Sequence, residues 1–339
     1  MHNRHRLAIP AALAALSLAL TACGSKSTDA TAPASPTTAT TAAAPTTNPL
    51  TGLPMTSPEQ SHPVYIVKVD NTQASDPQIG LGSADLITEE LVEGGLCRLA
   101  TFFYDKLPEK VGPVRSMRLT DIGIAKPVGA TIITSGAAPV TLNGLHKAGI
   151  TFLDMNNPNV VRVSDGQHDS LHSVMANVSK IGSEAKAKPA RPADYLPFGD
   201  QALPSGKKAT SIESRVGGSC TDHWSYQGGH YVLTNGFMAK GDQFNPDTVI
   251  TATVTTSTAP YRDPAGNPVP VSHFEGSGKA MIFHGGQVVK ATWEKADPGA
   301  PISFKDAQGN ELQIPPGHTW LELVPGKGTF SAGSVTFTK

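Results

Sequence analysis

The residues best suited to chemistry lie between positions 70 and 121, in a run of charged and glycine-rich strings. Asp70-Asn71 comes first, then Gln78, then Glu89, Glu90 and Glu93 before Gly94-Gly95 and Arg98. Gly112-Pro113-Val114-Arg115-Ser116-Met117-Arg118 closes the run. Three arginines beside several carboxylates can form a buried ion-pair network that braces loops. They can equally form a fork that grips an anion, because guanidinium matches carboxylate and phosphate bidentately. Asp70 with Glu89 or Glu93 is also a candidate carboxylate pair for glycan cleavage, which needs a separation of roughly 5–9.5 Å. A chain with 28 acidic residues offers many such pairs, so this one carries little weight alone.

His168-Asp169-Ser170-Leu171-His172 sets two imidazoles four residues apart. On a helix they would share a face, as in a zincin, which has Glu in second place. The shorter Asp169 and the Asp165-Gly166 break just upstream argue against a metal. A hydrogen-bonding His172 at a helix N-terminus is expected instead, with no metal and no cofactor. No G-x-S-x-G elbow appears, and nothing places a base beside Ser116. Gly276-Ser277-Gly278 reads as a turn. Trp224, Trp293 and Trp320 read as core rather than as sugar platforms.

Apolar, β-branched runs that read as strands surround these residues, at 64–69, 86–92, 97–104 and 130–134. Helical patterns at 118–126, 138–147 and 173–185 lie between and after them. Interleaving of this kind predicts an α/β-type first domain with a mixed sheet over 49–188. A proline-rich linker at 189–210 follows. From 211 to 339 the pattern is β-rich: two strands around Gly228-Gly229, then strands near 249–258, 279–283, 287–294, 319–324 and 334–338. The fold class is therefore α+β.

The N-terminus sets the compartment. Arg4 and Arg6, an apolar run from Leu7 to Leu20 and Leu20-Thr21-Ala22-Cys23 make a secretory signal over 1–22. The site matches a bacterial lipobox, which implies that Cys23 is lipidated and becomes the mature N-terminus. The expected location is the extracytoplasmic face of the cell membrane, held by that lipid. Residues 23–48 read as the anchor and a disordered linker, since 24–48 hold only Ser, Thr, Ala and Pro besides Gly24, Lys26, Asp29 and Asn48. Cys97 and Cys220 remain, in a compartment where disulfides persist. They are a disulfide candidate or two separate buried thiols. With 27 basic and 28 acidic residues, the near-neutral chain gives no electrostatic case for nucleic acid.

Asp70-Asn71, the string from Pro77 to Arg98 and the string from Val111 to Arg118 together resemble the signature of the YerB-type lipoproteins. That family is defined by a domain of unknown function. Trp224, Asn235-Gly236, Gly276-Ser277-Gly278-Lys279 and Pro316-Gly317-His318-Thr319-Trp320 continue the resemblance, which runs from Asn48 to about Pro325. It implies an N-terminal α/β domain and a β-rich second domain, and it supplies no activity. The family pattern falls on Asp70, Asn71, Gln78, Gly80, Glu89, Glu93, Gly94, Gly95, Arg98, Gly112, Pro113, Arg115, Ser116, Arg118 and His172. The chain departs from it at Asp76, Thr88, Cys97 and Ser135, where a basic residue, Tyr, Thr and a nearby His are usual. The missing histidine weakens any two-histidine mechanism.

The expectation is a non-catalytic envelope lipoprotein that binds an envelope protein or wall component through Asp70, Asn71, Gln78, Glu89, Glu93, Arg98, Arg115, Ser116, Arg118 and His172. The alternative is a wall-active hydrolase using Glu89, Glu93 or Asp70 with His172. A solute-binding role fits less well, because the chain lacks two similar α/β lobes.

Overall fold

The computed structural model describes residues 46–339, apart from 56, 58, 59, 187 and 188. The signal over 1–22, Cys23 and the linker as far as residue 45 lie outside the described residues.

The apolar runs of the first segment become Tyr65–Asp70 (β1), Leu86–Leu91 (β2), Cys97–Phe103 (β3) and Thr131–Ile133 (β4). Every residue of these four strands is buried, as strands covered on both faces require. Phe152–Leu153 (β5) joins them, and Val160–Arg162 (β6) pairs with Val174–Ala176 (β7) as a separate two-stranded sheet. The second segment adds Lys207–Lys208 (β8), Ser211–Gly217 (β9), Cys220–Gln227 (β10) and His230–Leu233 (β11). Thr248–Arg262 (β12), Pro268–His273 (β13), Gly276–His284 (β14) and Gln287–Lys295 (β15) follow. Ser303–Lys305 (β16), Glu311–Leu312 (β17), Thr319–Gly328 (β18) and Ser334–Thr338 (β19) complete the strands.

The main sheet is mixed and runs β17-β16-β15-β14-β12-β18-β2-β3-β1-β4-β5, with β13 on β12 and β8 on β15. Both expected domains, 49–188 and 211–339, contribute to it. Their joint is β18, parallel to β12 on one side and to β2 on the other. A second sheet, β11-β10-β9-β19, covers part of one face.

Side-chain alternation sorts the core into two layers. Ile66, Ala100, Phe102, Ile250, Leu321 and Leu323 point to one face, where Ile124 and Leu145 pack. Val67, Val69, Ile87, Leu99, Val249 and Trp320 point to the other, against Ile212, Trp224 and Tyr231 of the second sheet. Trp224, Trp293 and Trp320 are all core residues. Each fully buried large apolar side chain contributes about 1.5–3 kcal/mol.

The body is mostly β, with less helix than the sequence patterns imply. The pattern at 118–126 yields only Asp121–Ala125 (α1), because Asp121 Oδ2 accepts the Arg118 N–H at 2.7 Å and closes the first turn. Pro139–Lys147 (α2) matches its pattern closely. In 173–185, Val174–Ala176 is drawn into pairing with β6, and the Asn177 side chain caps Val178–Ser183 (α3) by accepting the Lys180 N–H at 2.9 Å. Gly276-Ser277-Gly278 is a strand start rather than a turn, in register with Trp293, Glu294 and Lys295. The proline-rich 189–210 segment packs on the body, since Tyr195, Leu196 and Ala209 are buried. Asn48, expected in the linker, is also buried and donates to Asp85 Oδ1 at 2.7 Å. No helix among the described residues is long and apolar enough to cross a membrane.

A disulfide joins Cys97 at the start of β3 to Cys220 at the start of β10, across 123 residues of sequence. It sits among Leu91, Val216 and Val324. Closing so long a loop restricts the unfolded chain, so the Cys97→Ala/Cys220→Ala protein should lose about 2–5 kcal/mol. Urea unfolding checks this. Equal midpoints for the double variant and the wild type would show that the bridge does not stabilise the fold.

Candidate functional site

The β2–β3 turn, the end of β1 and the 112–118 segment meet at one end of the main sheet. Asp70 and Arg98 are register partners on β1 and β3, and Arg98 pairs with Glu90 of β2. The turn between β2 and β3 is tight, with Gly94 and Gly95 at φ 71° and 72°. Gly95 touches the β9–β10 turn, where its carbonyl accepts the Ser219 N–H at 3.0 Å. A side chain at Gly95 would meet both the left-handed backbone penalty and the Gly218 backbone.

These elements enclose a cleft of about 640 Å³, lined by Asp70, Asn71, Glu93, Arg98, Arg115 and His172 among others. Its ion pairs form a hierarchy. Glu93 takes a two-pronged grip from Arg118, through Nε at 2.8 Å and through Nη2, and Arg98 Nη2 lies 3.7 Å away. Burial alone would raise the Glu93 carboxyl, but the Arg118 hydrogen bonds and both guanidinium charges outweigh it and hold Glu93 at about 2. Burial, with Arg118 nearby, pulls Arg98 down to about 10. Arg98 Nη1 donates to the Ser116 carbonyl at 2.7 Å, while its buried Nε has no partner.

Arg115 is the accessible arginine, with its side chain 26% exposed against 6% for Arg98 and 9% for Arg118. Its Nε reaches Asp70 Oδ2 at 3.0 Å, and its Nη1 donates to the Leu171 carbonyl at 2.7 Å. His172 lies on the other side of the same Asp70 oxygen, Nε2 at 3.2 Å, and its Nδ1 meets Asp169 Oδ1 at 2.9 Å.

The expected helix over 173–185, with His172 at its N-terminus, begins only at Val178, after the β7 strand, and no helix passes through 168–172. Two successive D-x-x-H turns stand there instead: the Asp165 carboxylate collects the Gln167 and His168 N–H groups and the His168 ring, and Asp169 does the same for Leu171 and His172. Local side-chain acceptors of this kind compete successfully with helix. His168 Nε2 faces the Pro77 carbonyl at 3.2 Å, so the two rings serve separate partners.

Other expected residues are placed differently. Gln78 is buried and donates to the Asp70 carbonyl at 2.7 Å and to Asn71 Oδ1 at 3.1 Å, bracing the cleft from behind. Ser116 takes part through its carbonyl. Glu89 leaves the arginines altogether. It points to the opposite face of β2, beside Asp222 and Glu322, and is linked to the cleft through Asn71, whose Nδ2 donates to Glu89 Oε1 at 2.7 Å. Burial raises Glu89 to about 7 and Glu322 to about 8, and raises Asp222 well above the usual carboxylate range. Sequence reasoning also missed Lys68. It is fully buried in β1, and its Nζ lies 2.6 Å from Glu90 and 2.7 Å from Asp121. Its signal was a single lysine inside the apolar 64–69 run.

The hierarchy predicts distinct variant behaviours. Arg118→Ala strands Glu93 and should cost about 3 kcal/mol. Arg115→Ala removes a partly exposed pair and should cost about 1–2 kcal/mol. Chemical unfolding measures both; equal losses would refute the ordering. Because the folded state depresses Glu93, its contribution is present above the ordinary carboxylate range and disappears as pH falls toward 2. Linkage sets it on the order of 3 kcal/mol at neutral pH. Glu93→Gln should therefore flatten the acid limb of a stability-against-pH curve below pH 5, and an unchanged limb would place the acid sensitivity elsewhere.

The Bacillus subtilis (strain 168) protein named "Putative lipoprotein YerB" is 24% identical over 292 residues, covering 78% of this chain and 82% of that protein. The crystal structure of the YerB protein from Bacillus subtilis shares the fold, with a TM-score of 0.69 at 20% identity over 86% of this chain and 99% of that one. Residues 50–191 match the N-terminal domain, and residues 215–321 the C-terminal domain, of a family described as protein of unknown function (DUF3048). The chain belongs to the DUF3048 family, the group to which its Asp70–Arg118 signature pointed.

Proposed function

We propose that this protein is an extracytoplasmic lipoprotein, anchored by a lipid on Cys23, that binds an envelope protein or wall component through the Asp70–Arg115–His172 cleft without catalysing a reaction there. One observation carries the binding role: Arg115 is the most exposed of the three arginines, at 26%, while Arg98 and Arg118 are held behind it by Glu93. A guanidinium that solvent can reach, on a rigid, charge-paired floor, suits recognition of a carboxylate or phosphate. General acid catalysis suits it poorly. Glu93 is held ionised, Asp70 is already shared by Arg115 and His172, and Glu89 faces another layer. The Leu20-Thr21-Ala22-Cys23 site and the lipoprotein name of the Bacillus relative support the anchor.

Cys23→Ser should leave the precursor unprocessed or release the protein from membranes. Unchanged detergent partitioning would refute the anchor. For the cleft, wild type and Arg115→Ala are compared by co-sedimentation with purified cell-wall sacculi and by cross-linking in membrane fractions. Loss of one strong charged contact should weaken binding about tenfold while the protein stays folded. Equal binding by both proteins would refute the cleft. Release of soluble wall fragments by the wild type but not by Asp70→Asn would instead establish a hydrolase.

A further inference from the structure

The layer between the main sheet and the β9–β10 sheet contains a polar group unlike the apolar core around it. Glu89 and Glu322 are register partners on β2 and β18. Facing them, Asp222 and Ser214 are register partners on β10 and β9. Alternation turns all four inward: β9 buries Ile212, Ser214 and Val216, and β10 buries Cys220, Asp222 and Trp224. Two cross-strand pairs, one from each sheet, thus converge.

The hydrogen bonds leave one side of this group open. Glu89 Oε1 accepts from Asn71, and Glu322 Oε1 accepts from Trp224 Nε1 at 3.0 Å. Glu89 Oε2, Glu322 Oε2 and Asp222 Oδ2 are buried without a partner. Among the described residues, no lysine or arginine forms an ion pair with any of the three. The fully buried Ser214 hydroxyl independently marks the same point. It is directed at Glu322 and has no partner outside this group.

Isolated buried carboxylates are costly and must gain a proton or a cation. The carboxylates lie close enough together for one cation to touch all three. One oxygen from each of Glu89, Asp222 and Glu322 lies within 4.8 Å of the other two. Calcium takes its oxygen ligands in a flexible geometry, which side chains from four strands of two sheets can supply, whereas magnesium demands near-ideal octahedral geometry and keeps several waters that a buried layer does not offer. The ligands are all oxygen, which suits a hard ion. The neighbouring Cys97 and Cys220 are joined to each other and offer no thiolate. We infer that Glu89, Asp222 and Glu322, with the Ser214 hydroxyl, form a structural calcium site that clamps the β9–β10 sheet to the main sheet.

A buried ion enters as the chain folds, so the test is refolding. The full chain is unfolded in urea and refolded with EGTA or with millimolar calcium, and its melting midpoint is measured. Calcium should raise the midpoint by about 5 °C. Terbium in place of calcium should give tryptophan-sensitised emission, because the Trp224 indole already contacts Glu322, and calcium should compete it away. Asp222→Asn and Glu322→Gln should abolish both signals. Should either variant fail to fold, Ser214→Ala removes a ligand without changing charge and should weaken calcium several-fold. Equal midpoints in EGTA and calcium with no sensitised emission would overturn the site and leave shared protons holding the carboxyls together. Emission that survives both carboxylate variants would also overturn it, by placing terbium on the surface.

Discussion

The structure depends on β2 being buried on both faces while carrying two adjacent glutamates. Leu86, Ile87 and Leu91 place it inside the sheet, between β18 and β3. Period-two alternation then sends Glu89 and Glu90 into opposite layers. Neither can reach water, so each layer has had to supply a polar answer. On one side the answer is Lys68, held also by Asp121 at the start of α1. On the other it is the Asp222–Glu322 group with its Asn71 and Trp224 donors. A buried ion pair is weak evidence for stability, because desolvation offsets much of the attraction. Its effect here is on register: a one-residue slip of β2 would put Glu89 against Lys68 and send Glu90 among the acids.

The same strand explains why the two family domains act as one body. A parallel β18–β2 pairing needs the chain to leave the first segment, build most of a second sheet system and return. The disulfide reinforces that return at a different point, tying β3 to β10. The Gly95 contact with the β9–β10 turn lies beside it. The floor of the cleft is therefore fixed from both segments. Ser219, Phe237, Asp263 and Asn267 of the second segment line it alongside the charged residues of the first.

Local patterns were legible in the sequence, and long-range pairing was not. The central strands of the first segment announced themselves through unbroken β-branched runs, and Gly228-Gly229 marked its hairpin correctly, with φ 61° and 94°. Short strands such as β6 and β7 were invisible because each gains its stability from the other. The charged string located the cleft, yet it could not say which face of a strand each carboxylate would occupy. Glu89 and Glu93 looked equivalent as residues four apart. One extended residue more or less decides the layer, and the turn at Glu93–Gly95 frees Glu93 from the alternation that commits Glu89. Asp222 and Glu322 carried no signal, since their significance lies in facing Glu89 across sheets formed from distant sequence.

Asn71 connects the two polar regions that alternation separates. It lines the cleft beside Asp70, receives the Gln78 amide on Oδ1 and donates its own amide to Glu89. The amide orientation follows from its neighbours, because Glu89 can accept and the Gln78 amide donates. Asp70 is held in turn by Arg115, His172 and, through its carbonyl, Gln78. Three hydrogen bonds, through Gln78 and Asn71, thus connect Asp70 to the buried Glu89 carboxyl group. A substitution of Asn71 would disturb both, whereas Arg115 belongs to the cleft alone. That difference gives the cleft and the buried group separate experimental handles despite their common neighbour.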